Sequence, residues 1–141
     1  SRGLGDVYKR QNSNNHFAIF VTLDKGKDFK AARIAYEDEF IDERTFHWYT
    51  KAPRNLRSPE VQLLRNPGEY KFHLFVKRKY NQKENETDFY YLGEVVPLQE
   101  TIQQVEKQDK EGKKKSVVKL DFTLETPVEP NMYEFLAQNT N

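Results

Sequence analysis

The sequence predicts an α+β, mainly β domain, in which a curved antiparallel sheet or small barrel carries one or two short helices. Three observations lead to this prediction. Runs of apolar and aromatic residues alternate with polar residues at the two-residue period of a strand. Only one connection between these runs is long enough to hold a crossover helix, which argues against a parallel βαβ sheet. The chain has 141 residues, the length of a single domain.

Six segments have the pattern of strands. The first, HFAIFVTL, is a continuous apolar and β-branched run that is typical of a buried strand. The second also fits a helix, and we predict a strand there from the alternation in its second half. The fourth and sixth alternate apolar and polar side chains, as expected where one face is buried. In chain order the predicted strands are 16–23, 32–38, 45–50, 69–80, 88–98 and 116–126, with a bulge at Gly93 in the fifth.

Two helical segments are predicted between and after these strands. In SPEVQLLRNPG, Ser58 is a favourable N-cap, Pro59 occupies the first helical position, and Pro67-Gly68 ends the helix. NMYEFLAQ follows two prolines and is predicted as a closing helical turn. The charged segment QETIQQVEKQDKEGKKK, residues 99–115, is predicted as a long loop or a frayed hairpin tip.

The composition of the chain excludes several classes of function. The net charge is +1, so any attraction to a polyanion must come from local patches. The absence of cysteine excludes disulfides, thiolate catalysis and Cys-ligated zinc, and it suits a reducing cytoplasm. No apolar run approaches the roughly 18 residues of a membrane-spanning helix, so no membrane association is predicted.

The sequence does not indicate a catalytic or metal site. His16, His47 and His73 have no metal-ligand spacing, and half-buried strand positions are the alternative for the last two. There is no Gly-rich phosphate loop, no GxSxG motif and no Ser/His/Asp grouping. We therefore predict a binding domain that is not an enzyme and that uses neither a metal nor a cofactor.

The stretch FHWYTKAPRNLRSPE, residues 46–60, has the most unusual composition. Aromatic side chains and a histidine precede Lys51, Arg54 and Arg57, and no acid lies between these cations. Rings can form a core, and cations can simply solvate a surface. Together they can also form a stacking pocket beside a phosphate-binding rim, an interpretation that is favoured mainly by the family resemblance described next.

From about residue 17 the chain resembles a bacterial C-terminal domain that follows the motor of superfamily II helicases, often with a phospholipase-D-like nuclease in the same protein. The aromatic motif of that family is close to Phe-His-Trp-x-Ser/Thr, and residues 46–50 match it, with Tyr49 where the family often has Gln or Glu. The resemblance is carried by FVTLDK, YEDEF, FHWYTKAPRNLRSPEVQ, HLFVKRK, YYLGEVVPL and VVKLDFTLETPVEPNMYEF, in this order.

The resemblance implies a DNA-reading domain of type IV, modification-dependent restriction systems, with a fold similar to PUA/SRA-type barrels that read modified bases. Its partners would be double-stranded, methylated DNA and the helicase and nuclease domains of the parent chain. Such a domain would flip a 5-methyl-type cytosine out of the duplex. The flipped base needs a ring for stacking, an acceptor for its amino group and a notch for its methyl group.

The hypothesis assigns Trp48, with Tyr36 or Phe46, to stacking, and Asp38 to the amino group. The predicted base pocket consists of Trp48, Tyr36, Phe46, Asp38 and Thr50, in which Thr50 orients the base. The predicted phosphate contacts are Lys51, Arg54, Arg57, Lys77, Arg78 and Lys79. The alternatives are a core position for Trp48, an ion pair of Asp38 with Arg33 or Arg44, and a solvated surface for the arginines of the loop.

The alternative function is a protein-interaction or regulatory domain that docks on a helicase or a partner subunit. A flat, exposed apolar face would favour it. Residues 1–15 are left outside the predicted domain, which comprises residues 16–141. The reason is that SRGLGDVYKRQ resembles translated adaptor sequence from shotgun assemblies and precedes the polar run NSNN.

Overall fold

The computed structural model describes residues 15–24, 38–79, 88–109 and 111–137. In this part of the chain the predicted mainly β fold is confirmed, as an open sheet of seven strands with two short helices. The elements are β1 (His16–Asp24), β2 (Glu39–Asp42), β3 (Thr45–Tyr49), α1 (Pro59–Arg65), β4 (Lys71–Lys79), β5 (Tyr90–Pro97), a 3₁₀ turn (Gln99–Thr101), β6 (Gln103–Gln108), β7 (Lys114–Leu124) and α2 (Pro130–Ala137).

The strand order of the sheet is β1-β4-β5-β7-β3-β2, and β6 pairs with β7 beside this path. All pairs are antiparallel except β1 with β4, which run parallel. The prediction of an antiparallel sheet is therefore correct for all but one pair. The long connection that contains β2, β3 and α1 brings the chain back to the start of β4, which makes the parallel pairing possible.

One face of the sheet, here the inner face, carries the hydrophobic core. In β4 the alternation places Phe72, Leu74 and Val76 in the interior, as the sequence predicted. The two helices cover this face through Leu64 of α1 and Leu136 of α2, both fully buried. Each apolar side chain that leaves water here stabilises the fold by about 1.5–3 kcal/mol.

The opposite face, here the outer face, carries the alternate residues of the same strands. Its polar character is clearest on β3 and β7, where His47 lies opposite Asp121 and Tyr49 lies opposite Lys119. Direct neighbours in an antiparallel pair share a face, with their Cβ atoms about 5 Å apart. The outer face of β3 and β7 is thus where polar side chains from distant parts of the sequence meet.

The local predictions hold with three corrections and one omission. The strand β2 lies at Glu39–Asp42, where no strand was predicted. Residues 103–108, predicted as part of a loop or frayed hairpin tip, form β6, because the long strand β7 offers them a full set of backbone partners. Ser58 occupies the N-cap position of α1, but its Oγ accepts the N–H of Asn55 and not a helix N–H. Gly93 lies at the predicted bulge with φ of +100°. The predicted strand at 32–38 lies outside the described residues, apart from residue 38.

The described helices have seven and eight residues, and none in this part of the chain is long and apolar enough to cross a membrane.

Candidate functional site

The two rings that the sequence placed in the base pocket on β3 belong to the core. Trp48 and Phe46 have no exposed surface, because both point to the inner face of the sheet. The Trp48 ring packs against Phe122 with centroids 5.6 Å apart, and Phe46 packs edge-on against Phe40 at 4.9 Å. Since both rings belong to the hydrophobic core of the sheet, the core alternative for Trp48 replaces the stacking hypothesis.

Thr50 is also committed to the fold. Its Oγ1 accepts the N–H of Val118 at 3.0 Å, and its own N–H donates to the carbonyl oxygen of Val118 at 3.0 Å. Since the side chain is buried and holds the end of β3 against β7, it is not in a position to orient a base. The Tyr36 prediction lies outside the described residues.

Asp38 remains as a candidate acceptor. It precedes β2, and its Oδ1 accepts the backbone N–H of Tyr49 at 2.8 Å. This bond holds the carboxyl group beside the backbone of Tyr49, the last residue of β3. Among the described residues, no second hydrogen bond to this carboxyl group occurs.

The environment of Asp38 disfavours its charge. Burial raises the pKa of Asp38 from 3.8 to about 6, although the hydrogen bond from Tyr49 opposes this rise. The positive charges of Lys107 and His47 oppose it more weakly. A carboxyl group with a pKa close to neutrality is typical of functional sites, because the fold alone gains nothing from burying it.

A chain of hydrogen bonds holds Tyr49 on the outer face. His47 Nδ1 contacts Asp121 Oδ1, and His47 Nε2 lies 3.1 Å from the hydroxyl of Tyr49. The two ring nitrogens of His47 thus bridge the carboxylate of Asp121 and the hydroxyl of Tyr49. The rings of His47 and Tyr49 meet edge-on at 5.0 Å. Tyr49 is therefore oriented by two side chains and lies beside Asp38.

This cluster was missed by the sequence analysis, although one signal pointed to it. Phe46 and Trp48 share the parity of an apolar face, so His47 and Tyr49 had to face the other way. Because the motif is rich in aromatic residues, the sequence analysis chose Trp48 as the ring of the pocket. The residue whose backbone N–H contacts Asp38 is Tyr49. Asp121 could not have been linked to His47 without the register of β3 on β7.

The predicted phosphate contacts fall into two separate groups. Lys51 and Arg57 are exposed in the loop that follows β3. Arg54 lies between them, but its guanidinium pairs with Glu60 and donates to the carbonyl oxygen of Pro53. The backbone of Arg54 also bonds to Ser116 of β7, so this loop is attached to the β6–β7 hairpin.

The second group lies on β4, towards the other end of the sheet. The register of β4 on β5 and of β5 on β7 places the end of β4 beyond Leu124, whereas the loop after β3 lies at the opposite end of β7. Arg78 is fully buried and donates to the carbonyl oxygen of Phe135, which excludes the predicted phosphate contact. Lys77 lies over the Phe89 ring at 5.0 Å. The side chain of Lys79 lies outside the described residues.

Two further features of the described residues are relevant to function. His16 Nδ1 lies 2.9 Å from His73 Nε2, but no group of three or more potential metal ligands occurs in this part of the chain. An open groove of about 830 Å³ lies beside α2. It is lined by Glu43, Pro127, Val128, Pro130, Tyr133, Glu134 and Ala137.

Comparison with known proteins gives one family and several structures. A family model described as "Domain of unknown function (DUF3427)" matches residues 5–136. None of the curated proteins matches the sequence. Among solved structures, the DNA modification-dependent restriction endonuclease AspBHI is similar with a TM-score of 0.53 and 16% identity, over 90% of this chain and 65% of that one.

Two SUVH proteins are similar at lower TM-scores. The SRA domain of SUVH5 in a complex with hemi-methylated CG DNA has a TM-score of 0.45 and 11% identity, over 79% of this chain and 66% of that one. Arabidopsis thaliana SUVH6 in complex with SAM has a TM-score of 0.48 and 9% identity, over 89% of this chain and 24% of that one. At such identities the likeness to AspBHI is a likeness of fold.

Proposed function

This chain belongs to the family described as a domain of unknown function (DUF3427), and we propose that it is a DNA-binding domain that recognises a modified, 5-methyl-type cytosine. The fold that it shares with a modification-dependent restriction endonuclease supports the proposal. In this role the domain is the target-recognition part of a longer restriction protein with helicase and nuclease domains, and it contributes no catalytic group of its own.

The position of Asp38 is the observation that carries the proposal. Cytosine presents an exocyclic amino group, and an acceptor that is already held in place discriminates strongly in its favour. Asp38 has one oxygen held by the N–H of Tyr49, and the other has no hydrogen-bond partner in the part of the chain that the structure describes. An amino group from a flipped base would complete the hydrogen bonds of a carboxylate that the fold keeps partly out of water.

Tyr49 takes the stacking role that the sequence analysis gave to Trp48. Its backbone N–H donates to Asp38, and Asp121 orients its ring through His47. Because Tyr49 is only 7% exposed, entry of a base must be accompanied by separation of the side chains around it. Stacking on such a ring contributes about 1–3 kcal/mol per base. Lys51 and Arg57, both exposed beyond the end of β3, contact the phosphates.

The experiment is a titration of fluorescent duplexes that differ by a single 5-methylcytosine, read by anisotropy. Burial of one methyl group is worth about 0.8 kcal/mol, so we expect at least about a fourfold preference for the modified duplex. A 2-aminopurine placed opposite the modified base should brighten on binding, because it loses its pairing partner when the base is extruded. Equal affinity for both duplexes without brightening would refute base reading.

A second candidate function is docking of a protein segment in the groove beside α2. The groove offers apolar side chains of Pro127, Val128 and Tyr133 between Glu43 and Glu134, so it fits a short segment with an apolar and a cationic side chain. In this case Tyr133→Ala would weaken binding of the helicase and nuclease domains without changing DNA affinity. Absence of DNA binding by the wild type, together with this loss, would favour the second candidate.

A further inference from the structure

The β6–β7 hairpin concentrates the positive charge of the chain. Between residues 103 and 119 the sequence has six lysines and three acids, a net charge of +3. Since the whole chain has a net charge of +1, the remainder has a net charge of −2. The sequence analysis counted most of this segment as a loop, but the structure makes it a paired hairpin with a defined face.

The lysines of this hairpin lie on the same face as the candidate site. Tyr49 lies opposite Lys119, and Lys107 lies opposite Lys115, so alternation puts all three lysines on the outer face, with the fully buried Val117 between Lys115 and Lys119. Lys113, two residues before Lys115, continues this row at the tip. At about 3.3 Å per residue, the row from Lys119 to Lys113 is about 20 Å long. It begins beside Tyr49 and extends away from it.

The row is not explained by interactions within the described residues. Like charges directly opposite each other destabilise a strand pair, and Lys107 with Lys115 is such a pair. Asp109 compensates Lys115 in part, with its Oδ2 3.6 Å from Nζ. Lys107 and Lys113 form no ion pair within the described part of the chain. An arrangement that costs stability and repeats along one face fits a polyanion.

The hairpin is also held firmly relative to the site. Asp109 Oδ1 accepts the N–H groups of Glu111 and Lys113, which closes the tip. At the base, the N–H of Arg54 donates to Ser116, and the N–H of Leu56 donates to the side chain of Gln104. Lys107 is close enough to lower the pKa of Asp38, which supports its position near the pocket.

We propose that the β6–β7 hairpin is a second DNA-contacting element, whose outward lysines follow the phosphates of the duplex on one side of the base that the Asp38 site recognises. At 3.4 Å per base pair, a row of about 20 Å covers about six base pairs. The inference rests on the proposed function, and it adds an extended contact that carries affinity but no sequence information.

The test compares two variants that each remove two positive charges. Lys107→Gln/Lys113→Gln changes the hairpin, and Arg65→Gln/Lys71→Gln is the matched control away from it. Each phosphate contact contributes about 0.9 to the slope of log K against log salt, so the hairpin variant should reduce this slope by about 1.8. It should weaken binding of methylated and plain duplexes by the same factor, about tenfold, whereas the control should match the wild type.

Duplex length gives the second readout. The wild type should gain affinity when the flank on one side of the modified base is extended from about four to about ten base pairs, because the row spans about six. The hairpin variant should bind the duplexes with the short and the extended flank with the same affinity. A hairpin variant with the salt slope and length dependence of the wild type would overturn the inference while leaving the proposed function intact. A wild type without preference for methylation, but with a hairpin-dependent slope, would overturn base reading alone.

Discussion

Replacing Asp38 by asparagine should increase the stability of the domain and weaken its binding to the methylated duplex. The asparagine carbonyl can still accept the N–H of Tyr49, so the backbone contact at 2.8 Å is retained. At pH 7 the wild-type carboxylate is ionised in a site that raises its pKa from 3.8 to about 6. At about 1.4 kcal/mol per pH unit, this difference destabilises the folded state by up to about 3 kcal/mol, which the neutral amide avoids.

The pH dependence has a defined sign. The folded pKa lies above the unfolded one, so the destabilisation is absent below about pH 4 and complete above about pH 6. The free energy of unfolding of Asp38→Asn should therefore equal that of the wild type at pH 4 and exceed it by about 1–3 kcal/mol at pH 7. Urea denaturation at both pH values measures this difference.

Binding should change in the opposite direction. The asparagine NH₂ would face the amino group of cytosine, and loss of a hydrogen bond to a charged acceptor costs about 1.5–3 kcal/mol, roughly 10- to 100-fold in Kd. This loss should appear on the methylated duplex in anisotropy titrations at pH 7. An Asp38→Asn variant that is no more stable and binds the methylated duplex as tightly as the wild type would refute the role of this carboxylate.

Further predictions concern the core, the tyrosine and the buried arginine. Trp48→Ala should lower the free energy of unfolding by about 3–5 kcal/mol in urea denaturation. The folded variant should bind both duplexes more weakly by the same factor. Trp48→Phe should lower the free energy of unfolding far less, because the buried indole N–H has no hydrogen-bond partner among the described residues. Asp121→Asn should weaken binding of the methylated duplex several-fold more than of the plain one in anisotropy titrations, since it loosens the orientation of Tyr49 through His47; equal effects would remove Tyr49 from the pocket. Arg78→Met should leave the salt dependence of DNA binding unchanged, because a fully buried guanidinium cannot contact phosphate. Protonation of the Asp38 carboxylate removes the acceptor, so the wild-type affinity for the methylated duplex should decrease below pH 6 by up to about tenfold per pH unit. The affinity of Asp38→Asn should not depend on pH in this way.

The charged segment before β7 contains a strand that local sequence pattern could not predict. Residues 103–108 are almost wholly polar, and a strand of this composition has no apolar alternation by which to recognise it. It forms because β7 has 11 residues and its first part needs partners for its backbone groups. The parallel pairing of β1 with β4 was equally hidden, since the direction of pairing depends on the path of the chain between them.

The sequence by itself determined the mainly β class, most strands and the inner face, because apolar alternation is a local property of each segment. It also predicted Asp38 in the site and offered the core as an alternative for Trp48. The tertiary structure decided that Asp38 accepts the backbone N–H of Tyr49, that His47 links Tyr49 to Asp121, and that Arg78 is buried. These relations depend on strand register and packing between residues far apart in the sequence, such as His47 and Asp121, which are 74 positions apart, and no local pattern encodes such pairings.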